Sequence, residues 1–481
     1  MRIRKLISVA AVLCLALSLL SGCRGDDRHG LDPSQPTTIT IWHYYNGVQQ
    51  ENFDNMILEF NDTVGREQGI VVEARSMNSI ADLSDSALAS LRRDEGAEPP
   101  PDMFSAYAET AYIADQLGCL VDLSAYFTQD ELDEYVVGYL AEGDLGEGGL
   151  KIFPIAKSTE VMMLNLTDWE AFAQAEGVTV DDLSTWEGLA RTAERYYAYT
   201  DALTPDVPHD GKALFGRDSV ANYMVVGARQ LGLEFVTVEE DGFALHTDKE
   251  VLRRLWDGYY VPYVKGYYYQ GARFRSDDAK TGAIIAMVCS TTGAAYFPSA
   301  VTVNDERSYP IEGLVLPVPN FEGTEPYVVQ QGAGMVVVKS EEKREYACAV
   351  FLKWFTEKER SISFSVNAGY LPVKKAANDF AAISAGYQEN GGPMLSAMEV
   401  AVTEIDGYQL YAARPFERSA QVRGFLDGFI QQTAQAAHDE AAARIANGED
   451  PDAVLEDYIS DEAFDAWYES FVAGMQAAAG I

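Results

Sequence analysis

The chain has 481 residues, of which 47% are hydrophobic, so it is long enough to form more than one buried core. Its 36 basic and 74 acidic residues give a formal net charge of −38 at pH 7, which disfavours nucleic acids and anionic lipids as partners. Its 5 cysteines show no CxxC spacing, so neither a disulfide framework nor a Cys-based metal site is expected. The three cysteines beyond residue 23 are predicted to be small buried hydrophobes.

The N-terminal stretch is typical of an exported lipoprotein. Three basic residues precede an uncharged apolar run over 6–20, shorter than the about 20 residues that span a bilayer. The run ends in Leu-Ser-Gly-Cys at Cys23, which resembles the lipobox of bacterial lipoproteins. The resemblance implies that 1–22 is a signal peptide and that lipid on Cys23 anchors the protein to the outer face of the cell membrane. An ordinary secretory signal with an incidental cysteine is the alternative. Residues 23–36 are polar and predict a flexible linker.

The next part of the chain alternates between two periodicities. Short β-branched and aromatic runs predict strands, and apolar residues at helical spacing, such as Phe53, Ile57 and Phe60, predict helices. The order strand–helix–strand–helix–strand is typical of an α/β sheet covered by helices. The predicted elements are a strand at 38–43, a helix at 49–64, a strand at 70–74, a helix at 82–93, a strand in PPPDMFSA, and helices at 111–117 and 130–140.

Residues 151–166 join two apolar runs through a polar one. The segment reads KIFPIAKSTEVMMLNL, with Lys157 to Glu160 as the polar part. One interpretation is a strand, loop and strand within a single sheet. The other is a crossing between two domains, which would bring small polar groups into the cleft between them.

The second half repeats the alternation and ends in helices. The apolar run AIIAMV at 283–288 predicts a buried strand, and it stops at Ser290-Thr291-Thr292-Gly293. Hydroxyl groups where a strand meets a helix suit ligand contact, but they equally suit a helix cap. The other predicted elements are helices that begin at Ser184 and at Asp248, a strand at 331–338, a helix at 345–355, a turn at 369–373 and a mostly helical tail at 393–481.

Several of these stretches together resemble the extracellular solute-binding proteins, family 1, of ABC importers, and within it the glycerol-3-phosphate and oligosaccharide binders. The matching stretches occur in the family's order over residues 38–373. ARPFERSAQVR in the tail fits more loosely. The stretches are TITIWHYYNG, FPIAKSTEVMMLN, AIIAMVCSTTG, VQQGAGMVVV and FLKWFTEKERSISFSVNAGYLPV.

The resemblance implies a fold and a mode of action. The fold would be α/β and two-lobed, periplasmic-binding-protein-like of type II, with the ligand in the inter-lobe cleft and multiple hinge crossings. Lobe one would comprise 37–155 and 327–375, and lobe two 156–326 and 376–481. The protein would capture a carbohydrate by hinge closure and deliver it to the membrane permease, as a monomer without cofactor or metal, while a separate ATPase supplies energy.

The resemblance also implies which residues contact the ligand, carried over position by position. Aromatic faces would stack on sugar rings, while carboxylates and hydroxyls would bind sugar hydroxyls. The expected ligand-binding residues are Trp42, Tyr44, Tyr45, Asp82, Tyr107, Glu109, Ser158, Thr159, Glu160, Asp218, Ser290, Thr291, Thr292, Gly332, Tyr370 and Arg414. Trp42 and Tyr107 are equally compatible with plain packing.

The sequence departs from the glycerol-3-phosphate pattern. Ile80-Ala81-Asp82 stands where that pattern has a tyrosine, and Phe215 to Ser219 replaces a Trp-rich loop. Because acidic candidates such as Asp82 and Asp218 would oppose a phosphate dianion, an uncharged carbohydrate is favoured. A glycerol-3-phosphate-type binder is the alternative in the same role.

Two alternatives belong to other classes of protein. They are a secreted lipoprotein glycan hydrolase, and a ligand-presenting sensor or adhesin. The sequence has no HExxH, GxSxG or Walker motif, so a binding protein without enzymatic activity is expected.

Overall fold

The computed structural model describes residues 29–146, 148–239, 242–387 and 391–481. The predicted signal peptide and the lipid attachment at Cys23 lie outside these residues. Among the residues that are described, no helix combines the length and the apolar character needed to cross a membrane.

The strands are short, with three to seven residues each. They are β1 (Thr37–His43), β2 (Ile70–Ser76), β3 (Met103–Ala106), β4 (Glu160–Asn165), β5 (Phe215–Arg217), β6 (Val236–Glu239), β7 (Gly242–Leu245), β8 (Ala286–Ser290), β9 (Ala300–Asn304), β10 (Arg307–Pro310), β11 (Gly313–Leu316), β12 (Tyr327–Val329), β13 (Gly334–Val337) and β14 (Gln409–Tyr411).

The α-helices of four or more residues alternate with these strands and dominate the C-terminal part. They are α1 (Gly47–Phe60), α2 (Ile80–Arg92), α3 (Ala108–Gln116), α4 (Gln129–Leu132), α5 (Val137–Ala141), α6 (Leu166–Glu176), α7 (Trp186–Asp201), α8 (Val220–Gln230), α9 (Lys249–Val264), α10 (Arg275–Thr281), α11 (Glu342–Phe355), α12 (Lys358–Ala368), α13 (Phe380–Ser384), α14 (Gly392–Gly407), α15 (Ser419–Ala446), α16 (Pro451–Ile459) and α17 (Asp461–Ala479).

Two mixed sheets of four strands organise the molecule. The first has the order β13-β3-β1-β2, with β1 parallel to β2 and β3, and β13 antiparallel to β3. The second has the order β11-β4-β8-β5, with β5 parallel to β8, and β4 antiparallel to both β8 and β11. Three two-stranded ribbons, β9–β10, β6–β7 and β12–β14, complete the pairing.

Each four-stranded sheet is buried on both faces, which explains the apolar runs in the sequence. In β1, Ile39 and Ile41 belong to one core cluster while Trp42 belongs to another, as expected for alternating side chains. In β4, Met162 and Met163 are likewise divided between two clusters. Both sheets are therefore covered by helices on two sides, as predicted for an α/β protein.

Most predicted elements are confirmed, and four need correction. Residues 130–140 form two short helices, α4 and α5, because Tyr135 turns inward and is fully buried between them. The strand predicted at 283–288 begins at Ala286, and the strand predicted at 331–338 begins at Gly334. The cap of α7 is Thr185, whose hydroxyl accepts from the Gly188 amide, and not Ser184.

The cysteines beyond residue 23 do not form disulfides. Cys289 and Cys348 are buried, as predicted, but Cys119 is only half-buried. Cys119 lies in the turn after α3, where no helix covers it fully.

The polar segment Lys157 to Glu160 runs from one sheet to the other. Phe153 bridges to Met335 of β13 at the edge of the first sheet, while Glu160 opens β4 of the second sheet. Between them, Ser158 exchanges backbone hydrogen bonds of 3.0 and 2.9 Å with Gln331. The segment is therefore a crossing, not a strand pair within one sheet.

Candidate ligand-binding cavity

A cavity of about 670 Å³ lies between the two sheets. The first sheet contributes residues that follow the carboxyl ends of β1 and β3, and the second sheet contributes residues that follow β5 and β8. The crossing segment and the turn after α12 complete the wall. The predicted site residues that line the cavity are Tyr44, Tyr107, Ser158, Asp218, Ser290, Thr292, Gly332 and Tyr370.

Three tyrosines from distant parts of the chain meet in this cavity. The hydroxyl groups of Tyr44 and Tyr370 lie 3.1 Å apart, and Tyr107 stands close enough to interact with both electrostatically. Burial raises the pKa of all three phenols above its ordinary value. They are therefore neutral near pH 7, and each hydroxyl can donate and accept a hydrogen bond.

The hydroxyl groups after β8 both cap a turn and face the cavity. Ser290 Oγ accepts from the Gly293 amide at 3.2 Å and lies 2.8 Å from Thr292 Oγ1. Thr291 points away and is fully buried. The cap and the ligand contact, which the sequence left as alternatives, are thus compatible at Ser290.

Asp218 follows β5 and is held in place by the start of α10. Its Oδ1 accepts from the Arg275 amide at 3.0 Å, and the Arg275 guanidinium lies 3.9 Å away. Burial raises the pKa of Asp218, and Arg275 opposes part of that rise. The carboxylate is 32% exposed and opens into the cavity, where it can accept hydrogen bonds from a ligand.

The floor of the cavity is backbone, and it requires a glycine. Gly332 has φ +95°, and a Cβ added there would lie 2.8 Å from the Ala156 carbonyl oxygen. The Gly332 carbonyl accepts from the buried Lys157 Nζ at 2.8 Å, and Lys157 also pairs with Glu142. Only a glycine at position 332 allows so close an approach. The backbone just before β13 therefore packs directly against the backbone of the crossing segment.

Two predicted residues on the crossing bind other parts of the protein. Thr159 Oγ1 donates to the Val329 carbonyl at 2.9 Å. The Glu160 carboxylate accepts from Arg217 Nη2 at 2.9 and 2.8 Å and from Asn222 Nδ2 at 2.9 Å. Both side chains are buried, so neither lines the cavity.

Three predicted residues of the first half also lie away from the cavity. Trp42 packs in the apolar core beside α2, and Tyr45 lies in an aromatic cluster with Phe53. Asp82 is exposed at the start of α2, where its amide donates to the N-cap residue Ser79 and its carboxylate accepts from the Ser79 hydroxyl at 2.6 Å.

Glu109 and Arg414 meet in a smaller neighbouring pocket. It has a volume of about 60 Å³, and Arg423 and Glu234 line it as well. Tyr107 of the main cavity is one residue away from its wall, and the positive charge of Arg423 acts on the Tyr107 phenol. Two acidic and two basic side chains thus lie beside the main cavity.

Several residues that line the main cavity were not predicted from the sequence. Phe274 and Tyr296 are 52% and 74% exposed, which is unusual for large aromatic side chains. A signal existed for Phe274, because it stands alone in the polar stretch ARFRSDDAK without helical apolar spacing. The other missed lining residues are Asn46, Gln49, Ser276, Asp277, Lys280, Met287, Gly293 and Gln331.

No metal centre is formed by the residues that the structure describes, since no three His, Cys, Asp or Glu side chains converge. The cavity can instead offer neutral hydroxyls, aromatic faces and backbone groups. Such a lining can bind small polar molecules.

Residues 55–392 match the family model described as bacterial extracellular solute-binding protein. None of the curated proteins matches the sequence.

Solved structures with similar folds cover nearly the whole chain. The cyclic alpha-maltosyl-1,6-maltose binding protein from Arthrobacter globiformis is 20% identical, with a TM-score of 0.65 over 92% of this chain and 100% of that one. UgpB from Mycobacterium tuberculosis, in complex with glycerophosphocholine, is 17% identical, with 0.65 over 92% and 98%. The galacto-N-biose-/lacto-N-biose I-binding protein of the ABC transporter from Bifidobacterium longum is 15% identical, with 0.62 over 94% and 99%. Identities this low show the fold, and they confirm the predicted two-lobed α/β class.

Proposed function

The chain belongs to the bacterial extracellular solute-binding proteins, and from that membership we propose that it captures a carbohydrate between its two sheets for an ABC importer. Proteins of this family bind solutes rather than transform them, which agrees with the prediction of a binder and not a hydrolase. Within that family role, the observation that supports a carbohydrate as the ligand is the main cavity, where neutral phenols, hydroxyls and exposed aromatic rings converge.

The lining favours an uncharged sugar. Phe274 and Tyr296 expose ring surface, and aromatic faces stack on the apolar side of a pyranose. The phenols of Tyr44 and Tyr370 and the hydroxyl of Thr292 can exchange hydrogen bonds with sugar hydroxyls. A volume of about 670 Å³ is enough for a ligand larger than a monosaccharide.

The charged residues that line the cavity disfavour a phosphate dianion as the ligand. Asp218, Asp277 and Lys280 are the charged residues among the described lining, so acidic groups outnumber basic ones. Arg414 lies in the neighbouring pocket with Glu109. A glycerol-3-phosphate-type ligand would therefore meet net repulsion in the main cavity.

We assign lobe one to 37–155 and 327–375, and lobe two to 156–326 and 376–481. Pairing of β13 with β3 supports the return of the chain to the first lobe, and packing of α15 against α8 and α9 supports the tail's place in the second. Ligand that contacts both lobes would favour the closed arrangement by its differential affinity, and the closed surface would signal occupancy to the permease.

The proposal also covers the location of the protein in the cell and its protein partners. Cleavage before Cys23 and lipidation of that residue would tether a monomer to the outer face of the cell membrane, with residues up to 36 as a linker. A membrane permease and a separate ATPase are the expected partners.

A thermal-shift screen of the purified protein tests the ligand class. The panel comprises mono- and oligosaccharides, glycerol 3-phosphate, amino acids and peptides. A ligand at about a hundred times its Kd should stabilise the fold by ~2.7 kcal/mol, a clear rise in Tm. Saccharide hits support the proposal. A response to glycerol 3-phosphate alone overturns the sugar assignment, and release of glycan products overturns the binding role.

A further inference from the structure

A second large pocket lies at the opposite end of the second sheet from the ligand cavity. It has a volume of about 600 Å³. Ala213, just before β5, lines it, whereas Asp218, just after β5, lines the ligand cavity. Ala283, ahead of the parallel strand β8, lines it as well. The two sites are thus separated by the length of the sheet and share no residue.

The walls of this pocket combine aromatic rings with an apolar floor. The rings of Tyr197 and Tyr267 are 5.4 Å apart at centroid, inclined by 54°. The Tyr197 hydroxyl donates to the His209 carbonyl at 2.9 Å, and the Tyr267 hydroxyl donates to Glu194 at 3.3 Å. Because both hydroxyls are used inside the protein, the rings offer mainly their faces. Ile445 of α15 belongs to the apolar floor.

The charge of the pocket is opposite in sign to that of the protein. The charged residues that line it are Lys212 and Lys265, against the single carboxylate of Asp452, and His209 and His438 add polar rings. The whole chain carries 74 acidic and 36 basic residues, so a basic lining is unexpected from composition. A local excess of positive charge beside aromatic faces favours anionic ligands.

The loop that forms one wall is held firmly to α7. The Lys212 amide donates to Thr200 Oγ1 and the Asp210 amide to Asp201 Oδ1, both at 2.8 Å. His209 has φ +66°, a strained conformation for a residue other than glycine. These contacts hold His209 and Lys212 in place before any ligand arrives.

A glycine keeps the centre of the pocket open. Gly266 has φ +78°, and a Cβ there would lie 3.4 Å from both the Tyr197 and the His438 rings. Any larger residue would occupy the space between the two rings.

We propose that this basic pocket, lined by Tyr197, His209, Lys212, Lys265, Tyr267 and His438, is a second ligand site that takes a ring compound bearing an anionic group. Carboxylated and phosphorylated sugars share that chemistry. The Lys212 and Lys265 ammonium groups bind the anion, and the Tyr197 and Tyr267 faces pack on the ring. This site is independent of the sugar site between the sheets.

Isothermal titration of the full-length protein tests the site, with glucuronate, glucose 6-phosphate and glucose as probes. One or both charged sugars should show a binding component that glucose lacks, and this component should weaken with added salt. The double variant Lys212→Ala/Lys265→Ala should weaken it about tenfold. Tyr370→Phe, which removes one hydroxyl group in the ligand cavity and keeps the buried ring, should leave it unchanged.

Lys249→Ala is the matched control, since Lys249 is also an exposed lysine on the second-sheet side and lies outside the pocket. Unchanged Tm values for the lysine variants show that folding is intact. The proposal is overturned if neither charged sugar exceeds glucose, if the double variant binds as tightly as the parent protein, or if Lys249→Ala weakens binding equally.

Discussion

The hydroxyl groups of Tyr44 and Tyr370 lie 3.1 Å apart although 326 residues separate them in the chain. Tyr44 follows β1, and Tyr370 follows the C-terminal glycine of α12, so only the tertiary fold brings them together. Burial raises the pKa of both, which keeps them neutral. This pair offers a ligand two adjacent neutral hydroxyls.

Removing either hydroxyl should weaken ligand binding more than it weakens folding. Tyr370→Phe keeps the ring and removes one hydrogen bond, worth about 0.5–1.5 kcal/mol, so Kd should rise about three- to tenfold. Tyr370→Ala should weaken binding further, because the ring is lost too. Titration calorimetry with the saccharide from the screen measures this. Equal Kd values for the parent protein and Tyr370→Phe would contradict a role for this hydroxyl.

Replacing the exposed aromatic residues at the cavity should lower ligand affinity without changing the stability of the fold. Phe274→Ala and Tyr296→Ala should each lower saccharide affinity about tenfold through lost stacking, with Tm unchanged because both side chains are mostly exposed. Leu203→Ala, at a position 64% exposed and outside the cavity, is the control. Unaltered affinity in both aromatic variants would remove these rings from the site.

The buried pair of Glu160 and Arg217 should matter for stability. Both side chains are almost fully buried, and Arg217 also stacks over Trp186. Glu160→Gln should cost about 3–5 kcal/mol, because it leaves a buried guanidinium without its counter-charge. The double variant Glu160→Gln/Arg217→Met should recover part of that loss. Urea denaturation measures both, and a double variant less stable than Glu160→Gln would refute the explanation.

His43 should make stability depend on pH below neutrality. It is fully buried, neither ring nitrogen has a hydrogen-bond partner among the described residues, and burial lowers its pKa to about 4. Because the unfolded state keeps a pKa of about 6.5, it binds the proton first as pH falls. The contribution of neutral His43 to the free energy of unfolding is therefore fully present above about pH 6.5. It is lost progressively as the pH falls to about 4.

A variant without the imidazole isolates this effect. Between pH 7.5 and 4.5 the parent protein should lose about 2–3 kcal/mol more unfolding free energy than His43→Phe. The exposed His246→Gln should behave like the parent protein. Denaturation curves at the two pH values provide the comparison, and parallel losses in His43→Phe and the parent protein would refute the assignment.

Local patterns in the sequence were sufficient for most elements of the fold. Phe53, Ile57 and Phe60 recur at helical spacing, and all three are buried on one face of α1. The polar run at residues 157–160 lies between two apolar runs, which left a loop within one sheet and a crossing as alternatives, and the structure shows the crossing. The resemblance to the family then indicated which strand ends carry ligand-binding residues. Eight of the expected site residues line one cavity.

The same patterns could not distinguish a ligand contact from a partner inside the protein. Glu160 and Asp218 are both acidic residues beside strands, yet Glu160 is paired with Arg217 and Asp218 opens into the cavity. Tyr44 and Tyr45 are adjacent, but only Tyr44 reaches the cavity, because successive extended residues point to opposite sides.

By itself, the sequence determined most elements, their order and the excess of negative charge, because periodicity and composition are local properties. The family was indicated by the resemblance of several stretches. Only the tertiary structure decided which side chains meet. Phe274 and Tyr296 join Tyr44 at one cavity, and Lys212 and Lys265 form a basic pocket in an acidic protein. These contacts depend on packing between elements that are distant in the chain. The periodicity within one element does not show which other elements pack against it.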